Sequence, residues 1–115
     1  MWMKILPFIL IVVFLLWIQL SKSNIDYKKA IEEGAIIIDV RSPEEFNQGH
    51  IDQSINIPLQ ILNKNLNTLK DKEQTIITCC ASGMRSARAK SILKKNGYIS
   101  VHNGGGWVGL KSKIK

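Results

Sequence analysis

Four short runs with strand character, separated by segments of helical periodicity, form the main pattern of the chain after residue 24. These runs are Ala35 to Val40, Ser54 to Ile57, Thr75 to Cys80 and Ile99 to His102. The first is apolar almost throughout and the third is rich in β-branched residues, as strands buried on both faces are. Strands that alternate with helices at this spacing predict one open α/β layer fold with a parallel sheet.

The segments between these runs carry the signals of helices. Asn24 to Gly34 is amphipathic and ends at a glycine, which is a common helix stop. Ser42-Pro43-Glu44-Glu45 predicts a helix start, because its first and last residues can form a capping box. Leucines recur on one face of Leu59 to Leu69, which we therefore predict to be a helix. A basic helix is predicted from Ser86 onwards, and the last helix of the chain is short.

The first 22 residues are predicted to form an N-terminal hydrophobic helix that precedes the domain. The run from Ile5 to Ile18 is apolar without a break, and tryptophans stand near both ends, as in membrane-interface belts. We therefore predict a single-pass membrane anchor over residues 1–22 and a folded domain over residues 23–115. A signal peptide, removed to leave a periplasmic or secreted domain, stays open as the alternative, although Ser21-Lys22-Ser23 is a poor cleavage site.

Charge is unevenly spread along the chain, whose formal net charge is +7. No acidic residue follows Glu73, whereas basic residues are frequent there. The basic residues after this point are Arg85, Arg88, Lys90, Lys94, Lys95, Lys111, Lys113 and Lys115. A positive field of this kind steers small anions towards a site. We find no interleaved aromatic residues and no nucleic-acid motif in this half, so the sequence argues against nucleic-acid binding.

The stretch from Thr75 to Asn96 combines a strand, a loop of small residues and a basic helix, and it holds Cys79 and Cys80. Neighbours on a strand point to opposite faces, so a disulfide between these cysteines would be strained. They supply neither a disulfide framework nor a metal-ligand set, and we predict no metal and no cofactor. A cysteine at a helix N-terminus can be held as a thiolate, because free N–H groups and the helix dipole stabilise the anion. We therefore predict one cysteine nucleophile that acts on an anion and one packing cysteine.

Three separated pieces of the sequence resemble a rhodanese domain, and the resemblance covers nearly all of Ile25 to Leu110. The first piece is IDVRSPEEF with the following GHI and INIP, within Ile38 to Pro58. The second is CASGMRS, Cys80 to Ser86, which is similar to the six-residue active-site loop of sulfurtransferases. The third is Val101 to Gly105, which looks like the double glycine that closes the domain. All three stand in the expected order and spacing, so the chain is identified as a member of this family.

This resemblance implies a rhodanese-like open parallel sheet of five strands with helices on both faces. It also implies that Cys80 is the catalytic nucleophile and takes a sulfane sulfur, as a persulfide, from a small anionic donor such as thiosulfate. The sulfur then passes to a thiol or to cyanide in a second step. We expect a monomer. The loop residues assigned to substrate binding are Ala81, Ser82, Gly83, Met84 and Arg85.

Alternatives to this function stay open. Counted from Cys79, the loop has the Cys-x5-Arg spacing of a cysteine phosphatase or an arsenate reductase, whereas counted from Cys80 it has the Cys-x4-Arg spacing of sulfurtransferases. The signature upstream of the loop favours Cys80. Many sulfurtransferases carry a basic residue where this chain has Ala81, so one charge for the donor is missing. A membrane-tethered persulfide carrier or docking module with little turnover is therefore a further hypothesis.

Other polar residues in the resembling segments are predicted to have structural roles. Asp39 and Arg41 are expected to form an ion pair or hydrogen bond that joins the end of the first strand to the following helix. His50 is expected to pack the turn before the second strand, and Trp107 to lie in the core.

Overall fold

One parallel sheet of four strands forms the centre of the computed structural model, which describes residues 2–21 and 25–115. The strands are β1 (Ile36–Asp39), β2 (Ile55–Asn56), β3 (Ile76–Cys80) and β4 (Val101–Gly106). Their order across the sheet is β2-β1-β3-β4, and all pairings are parallel. All four runs with strand character in the sequence are therefore strands, and the predicted α/β fold is confirmed.

The five-stranded sheet implied by the resemblance is wrong for this chain, because four strands are present in the described residues. Each run of strand character in the sequence already lies in the sheet, and no further run is left to extend it. The segment at Ile25, before the first helix of the domain, does not add a strand. Its side chain packs against the core on one face of the sheet instead.

Six α-helices accompany the sheet in the described part of the chain. They are α1 (Trp2–Ser21), α2 (Tyr27–Glu32), α3 (Pro43–Gln48), α4 (Leu59–Leu62), α5 (Met84–Lys95) and α6 (Trp107–Lys113). The predicted capping box at the start of α3 is confirmed. There the Glu45 N–H donates to Ser42 Oγ over 3.2 Å, and the Ser42 N–H donates to the Glu45 carboxylate over 3.2 Å.

The helix predicted over Leu59 to Leu69 is wrong in its extent. α4 ends at Leu62, and a 3-10 turn at Leu66–Thr68 follows. Asn65 lies between the two, and its Nδ2 donates to the backbone oxygen of Ile61 over 2.8 Å. An asparagine side chain that bonds nearby backbone groups in this way competes with helix formation. The leucine periodicity therefore correctly predicts the residues that face the core, but it does not predict one continuous helix.

α1 precedes the domain, and its apolar side chains between Met3 and Trp17 are exposed. Nowhere in residues 2–21 and 25–115 does a helix have the combined length and apolar character that a membrane span requires. The predicted membrane anchor is therefore not confirmed. The predicted domain boundary after residue 22, and the cleavage-site residues Lys22 and Ser23, lie outside the described residues.

The core lies in two layers, one on each face of the sheet. Cys80, Ala89 of α5 and Leu62 of α4 belong to the cluster on one face. Cys79, Tyr27 of α2 and Leu110 of α6 belong to the cluster on the other face. The adjacent cysteines therefore point to opposite faces, as the alternation of side chains along a strand predicts.

The strand order places a crevice at the carboxyl ends of β1 and β3. The chain leaves β1 towards α3 and β2 on one side, and it leaves β3 towards α5 and β4 on the other side. Connections diverge at such a switch point, and ligands of open α/β sheets bind in the resulting crevice. Cys80 is the last residue of β3 and therefore lies at this crevice.

Gly104 is expected to be essential for stability because β4 packs closely against β3 and α6 at this point. An added Cβ would lie 2.8 Å from Ile77 Cγ2 and 2.9 Å from both Leu110 Cδ2 and the Thr78 carbonyl oxygen. Gly104→Ala should therefore lower the free energy of unfolding by about 1–3 kcal/mol through overpacking. Urea unfolding, followed by circular dichroism, measures this loss.

Gly109→Ala in α6 is the matched control, because an added Cβ there meets nothing within 4 Å. This variant should keep or slightly raise the free energy of unfolding, by up to about 1 kcal/mol, since alanine favours a helix. Equal stabilities of the two variants would contradict the packing argument at Gly104.

Candidate active site

The loop after β3 folds back on its first residue, Cys80. Gly83 adopts a φ of +105°, a left-handed conformation that glycine takes without steric cost. This turn directs the Gly83 N–H at Cys80 Sγ, with 2.9 Å between nitrogen and sulfur. α5 begins at the next residue, Met84, so the sulfur lies at the N-terminal end of a 12-residue helix. The sequence Ala-Ser-Gly after the cysteine thus builds a cradle of backbone N–H groups.

Ser86 is buried beside the sulfur and has a single hydroxyl proton with several acceptors. Its Oγ lies 3.5 Å from Cys80 Sγ, 3.0 Å from the Gly83 carbonyl oxygen and 2.6 Å from Asn103 Oδ1. As a thiol, Cys80 donates to Ser86 Oγ. Once Cys80 has ionised, the hydroxyl can turn its proton towards the thiolate. Ser86 therefore serves either protonation state of the cysteine.

Asn103 of β4 orients this hydrogen-bond network. Its Nδ2 donates to the Gly83 carbonyl over 3.3 Å, and its Oδ1 accepts the Gly105 N–H over 2.9 Å. These bonds fix which side of the amide faces Ser86. Asn103 thereby ties the cysteine loop, α5 and the glycine run of β4 to each other.

The pKa of the Cys80 thiol lies below its ordinary value. Burial raises it, but a hydrogen bond from the Ser86 hydroxyl, followed by those from the N–H groups of Ser86, Gly83 and Ser82, lowers it by more. Hydrogen bonds to the charged form of a group favour that form. The loop therefore stabilises a thiolate with neutral dipoles, and a thiolate is the nucleophilic form of cysteine.

Cys79 has the opposite environment. Its side chain is buried among apolar residues of the other layer, including Ile37 and Ile77. Burial, and then the nearby Asp39 carboxylate, raise the pKa of Cys79 to about 12. A thiol with this pKa is neutral at physiological pH and packs like a small apolar residue.

Arg85 is joined across the crevice to Glu45 of α3. Its Nη1 donates to Glu45 Oε1 over 2.7 Å and its Nη2 donates to Oε2 over 2.9 Å. The hydrogen bonds from Arg85 hold the pKa of Glu45 at about 2, so the carboxylate is ionised at physiological pH. The pair links the helix that follows β1 to the helix that follows β3.

A second ion pair, between Arg41 and Asp39, is almost fully buried. Arg41 Nη2 donates to Asp39 Oδ2 over 2.8 Å, and the same nitrogen donates to the Gly49 carbonyl over 2.7 Å. The guanidinium also stacks over the ring of Trp107, 4.8 Å from its centre. The predicted structural ion pair between the end of β1 and the following helix is thus confirmed.

His50 has the structural role that was expected of it. Its ring stacks on Phe46 with the ring centres 3.7 Å apart, and its Nδ1 lies 2.8 Å from the Phe46 carbonyl oxygen. These contacts close the turn that follows α3.

The predicted site residues follow one another in the loop, but they differ in how they relate to the sulfur. Gly83 contributes its N–H directly, while Ala81, Ser82 and Met84 are exposed at the surface. Arg85 turns towards Glu45. Sequence patterns did not indicate Asn103 or the contact of Ser86 with the sulfur.

No three His, Cys, Asp or Glu side chains gather as a metal site would require in residues 2–21 and 25–115.

Ser86→Ala is expected to raise the pKa of Cys80, because the thiolate loses its hydroxyl donor. Only the thiolate reacts with iodoacetamide, so a higher pKa lowers the reactive fraction at any pH below it. At any pH below the pKa values of both proteins, a rise of one unit would slow alkylation of Cys80 about tenfold, and the whole pH profile would shift upwards. Ser91→Ala, at an exposed position of the same helix, is the control. An unchanged profile for Ser86→Ala would show that the amides alone set the pKa.

Comparisons with known proteins agree with this geometry. The protein-family model of the rhodanese-like domain matches residues 23–113. The thiosulfate sulfurtransferase PspE of Escherichia coli is 43% identical over 70 residues, which cover 60% of this chain and 67% of that protein. A putative mitochondrial thiosulfate sulfurtransferase of Schizosaccharomyces pombe is 30% identical over 105 residues, which cover 80% of this chain and 74% of that protein.

Solved structures show the same likeness. A rhodanese with anions from E. coli superposes with a TM-score of 0.63 at 39% identity, covering 66% of this chain and 91% of that one. The human single-domain sulfurtransferase TSTD1 superposes with a TM-score of 0.64 at 25% identity, covering 74% of this chain and 88% of that one. The chain therefore belongs to the rhodanese-like family of sulfurtransferase enzymes.

Proposed function

We propose that this enzyme moves a sulfane sulfur from a small anionic donor, such as thiosulfate, to a thiol or cyanide through a persulfide on Cys80. The observation that carries the proposal is the Gly83 N–H directed at Cys80 Sγ over 2.9 Å, at the start of α5. Relatives named thiosulfate sulfurtransferases support the donor, and the E. coli rhodanese was solved with anions.

The first step is a displacement at sulfur. The Cys80 thiolate attacks the outer sulfur of thiosulfate, the sulfur–sulfur bond of the donor breaks, and its electron pair leaves with sulfite. The product is a persulfide anion on Cys80, whose charge has moved outward by one atom. N–H groups at a helix N-terminus favour such an anion, so the loop supports both the thiolate and the persulfide.

The second step regenerates the enzyme. Cyanide or an acceptor thiolate attacks the outer sulfur of the persulfide, and the Sγ–S bond breaks with its electrons returning to Cys80. Cyanide leaves as thiocyanate, whereas a thiol leaves as a new persulfide. Two half-reactions through one covalent intermediate produce ping-pong kinetics.

Loop residues have distinct parts in this proposal. Ser82 and Gly83 act through their backbone N–H groups, which lower the pKa of Cys80. Ala81 and Met84 form the exposed surface of the loop. Arg85 fixes the start of α5 through Glu45 and supplies the loop's own cationic side chain.

The alternative that uses Cys79, as a phosphatase or arsenate reductase, has less support. Its side chain lies in the layer opposite the loop, and burial raises its pKa to about 12, whereas the pKa of Cys80 lies below its ordinary value. A nucleophile of either enzyme must be a thiolate that reaches the anion. A persulfide carrier with little turnover shares the first step with a sulfurtransferase, and only the rate of the second step separates the two.

Cys80→Ser is expected to abolish thiocyanate formation from thiosulfate and cyanide, because serine cannot form a persulfide. Cys79→Ser should keep most of the activity, since its thiol only packs in the core. Both full-length variants are assayed for thiocyanate and weighed by intact-mass spectrometry after exposure to thiosulfate. One added sulfur atom is expected in Cys79→Ser and none in Cys80→Ser. Activity lost only in Cys79→Ser would reverse the assignment.

Membrane attachment through the N-terminal helix and a monomeric state stay predictions. The exposed apolar side chains of α1, from Met3 to Trp17, support attachment. Mass spectrometry of the protein made in cells, combined with fractionation, tests it. An anchor predicts a chain that starts at Met1 and sediments with membranes. A mature chain that starts near Asn24 would contradict the anchor and indicate a removed signal peptide.

A further inference from the structure

Two guanidinium groups at the cysteine loop and the neighbouring strand end are matched by carboxylates. Both terminal nitrogens of Arg85 are used by Glu45, at 2.7 and 2.9 Å. Arg41, which is more buried than Arg85, is matched by Asp39 at 2.8 Å. Each pair sums to zero charge, so neither presents a net positive charge to a donor.

The remainder of the loop adds no side-chain charge. Ala81, Ser82, Gly83 and Met84 are uncharged, and their contribution to an anion is made by backbone N–H groups. Such dipoles stabilise one negative charge on the sulfur, as they do for the Cys80 thiolate. A donor with two negative charges would find no free cation in this loop for its second charge.

We propose that Glu45 is a specificity-determining residue, whose pairing with Arg85 tunes the site for singly charged alkyl persulfides over the thiosulfate dianion. The inference rests on the proposed function, because it concerns the donor of the same sulfur transfer. Glu45 belongs to α3 and approaches the loop from the opposite side of the crevice. It therefore controls the charge of the loop without touching the sulfur.

The step with an alkyl persulfide balances in the same way as the step with thiosulfate. The Cys80 thiolate attacks the outer sulfur of the persulfide donor, and the sulfur–sulfur bond of the donor breaks. The electron pair leaves on the alkyl thiolate, and the outer sulfur remains on Cys80 as a persulfide anion. The Cys80 thiolate and a persulfide monoanion together carry two negative charges, one fewer than the thiolate and thiosulfate carry.

Glu45→Gln removes the carboxylate charge and should leave the fold intact. Glutamine at this position can still accept the Ser42 N–H, as the glutamate does over 3.2 Å, so the capping box of α3 persists. Arg85 then keeps a polar neighbour and regains its net charge. Glu44→Gln is the matched control, because Glu44 is the exposed neighbour on the same helix and its loss changes the net charge equally.

The test measures kcat/KM of the full-length protein and both variants with two donors, thiosulfate and 2-hydroxyethyl persulfide, in which the persulfide is the only charged group. Glu45→Gln should raise the ratio of thiosulfate to persulfide kcat/KM about fivefold, through a lower KM for thiosulfate, as expected for one partly exposed charge. This gain should shrink as potassium chloride is added, because salt screens the freed guanidinium. Glu44→Gln should leave the ratio unchanged.

Other outcomes decide between the inference and the proposed function. An unchanged or lower ratio in Glu45→Gln would overturn the role of Glu45 and show that it serves to hold Arg85 in place. An equal gain in Glu44→Gln would overturn it as well, because the effect would then come from net charge alone. If neither donor adds sulfur to Cys80 in the parent protein, the proposed function itself fails, and the inference fails with it.

Discussion

The site depends on the contact between the Gly83 N–H and the sulfur of Cys80. This contact requires the left-handed turn at Gly83, and the turn requires a residue without a Cβ. β4 lies beside this turn, and a Cβ added to Gly83 would be 3.5 Å from the Gly105 Cα, an ordinary contact distance. The chemistry of one thiol is thus set by backbone geometry at the end of a parallel sheet.

Neutral dipoles, more than cations, stabilise the anion in this loop. N–H groups and the Ser86 hydroxyl act on the sulfur directly, while the guanidinium of Arg85 is paired with Glu45. An arrangement of this kind favours the form of the Cys80 sulfur with one negative charge and holds the sulfur in a fixed place before the reaction. Asn103 extends the arrangement, because its amide connects the loop, α5 and β4.

Local patterns in the sequence were sufficient for most of the fold. The four strands, the capping box at Ser42 and the opposite faces of the two cysteines all follow from short-range periodicity and propensity. The prediction of a fifth strand was wrong. It came from the family resemblance, and no further run with strand character is present in the described residues. The prediction of one helix over Leu59 to Leu69 was wrong because Asn65 interrupts the periodic row of leucines.

Long-range contacts of the site could not be predicted in the same way. Glu45 and Arg85 are 40 positions apart, and Ser86 and Asn103 are 17 apart, so no local pattern connects them. Glu45 also had a complete local explanation as the capping residue of α3, which concealed its second role. The cysteine loop was visible in the sequence because its residues are contiguous.

The most direct test of the account follows a labelled sulfur. The full-length protein is mixed with a donor that carries a labelled sulfane sulfur and no acceptor, then quenched, and fragmentation mass spectrometry locates the label. We expect one labelled sulfur per chain on Cys80, released when cyanide is added. Label on Cys79, or thiocyanate formed without any label on Cys80, would contradict the account.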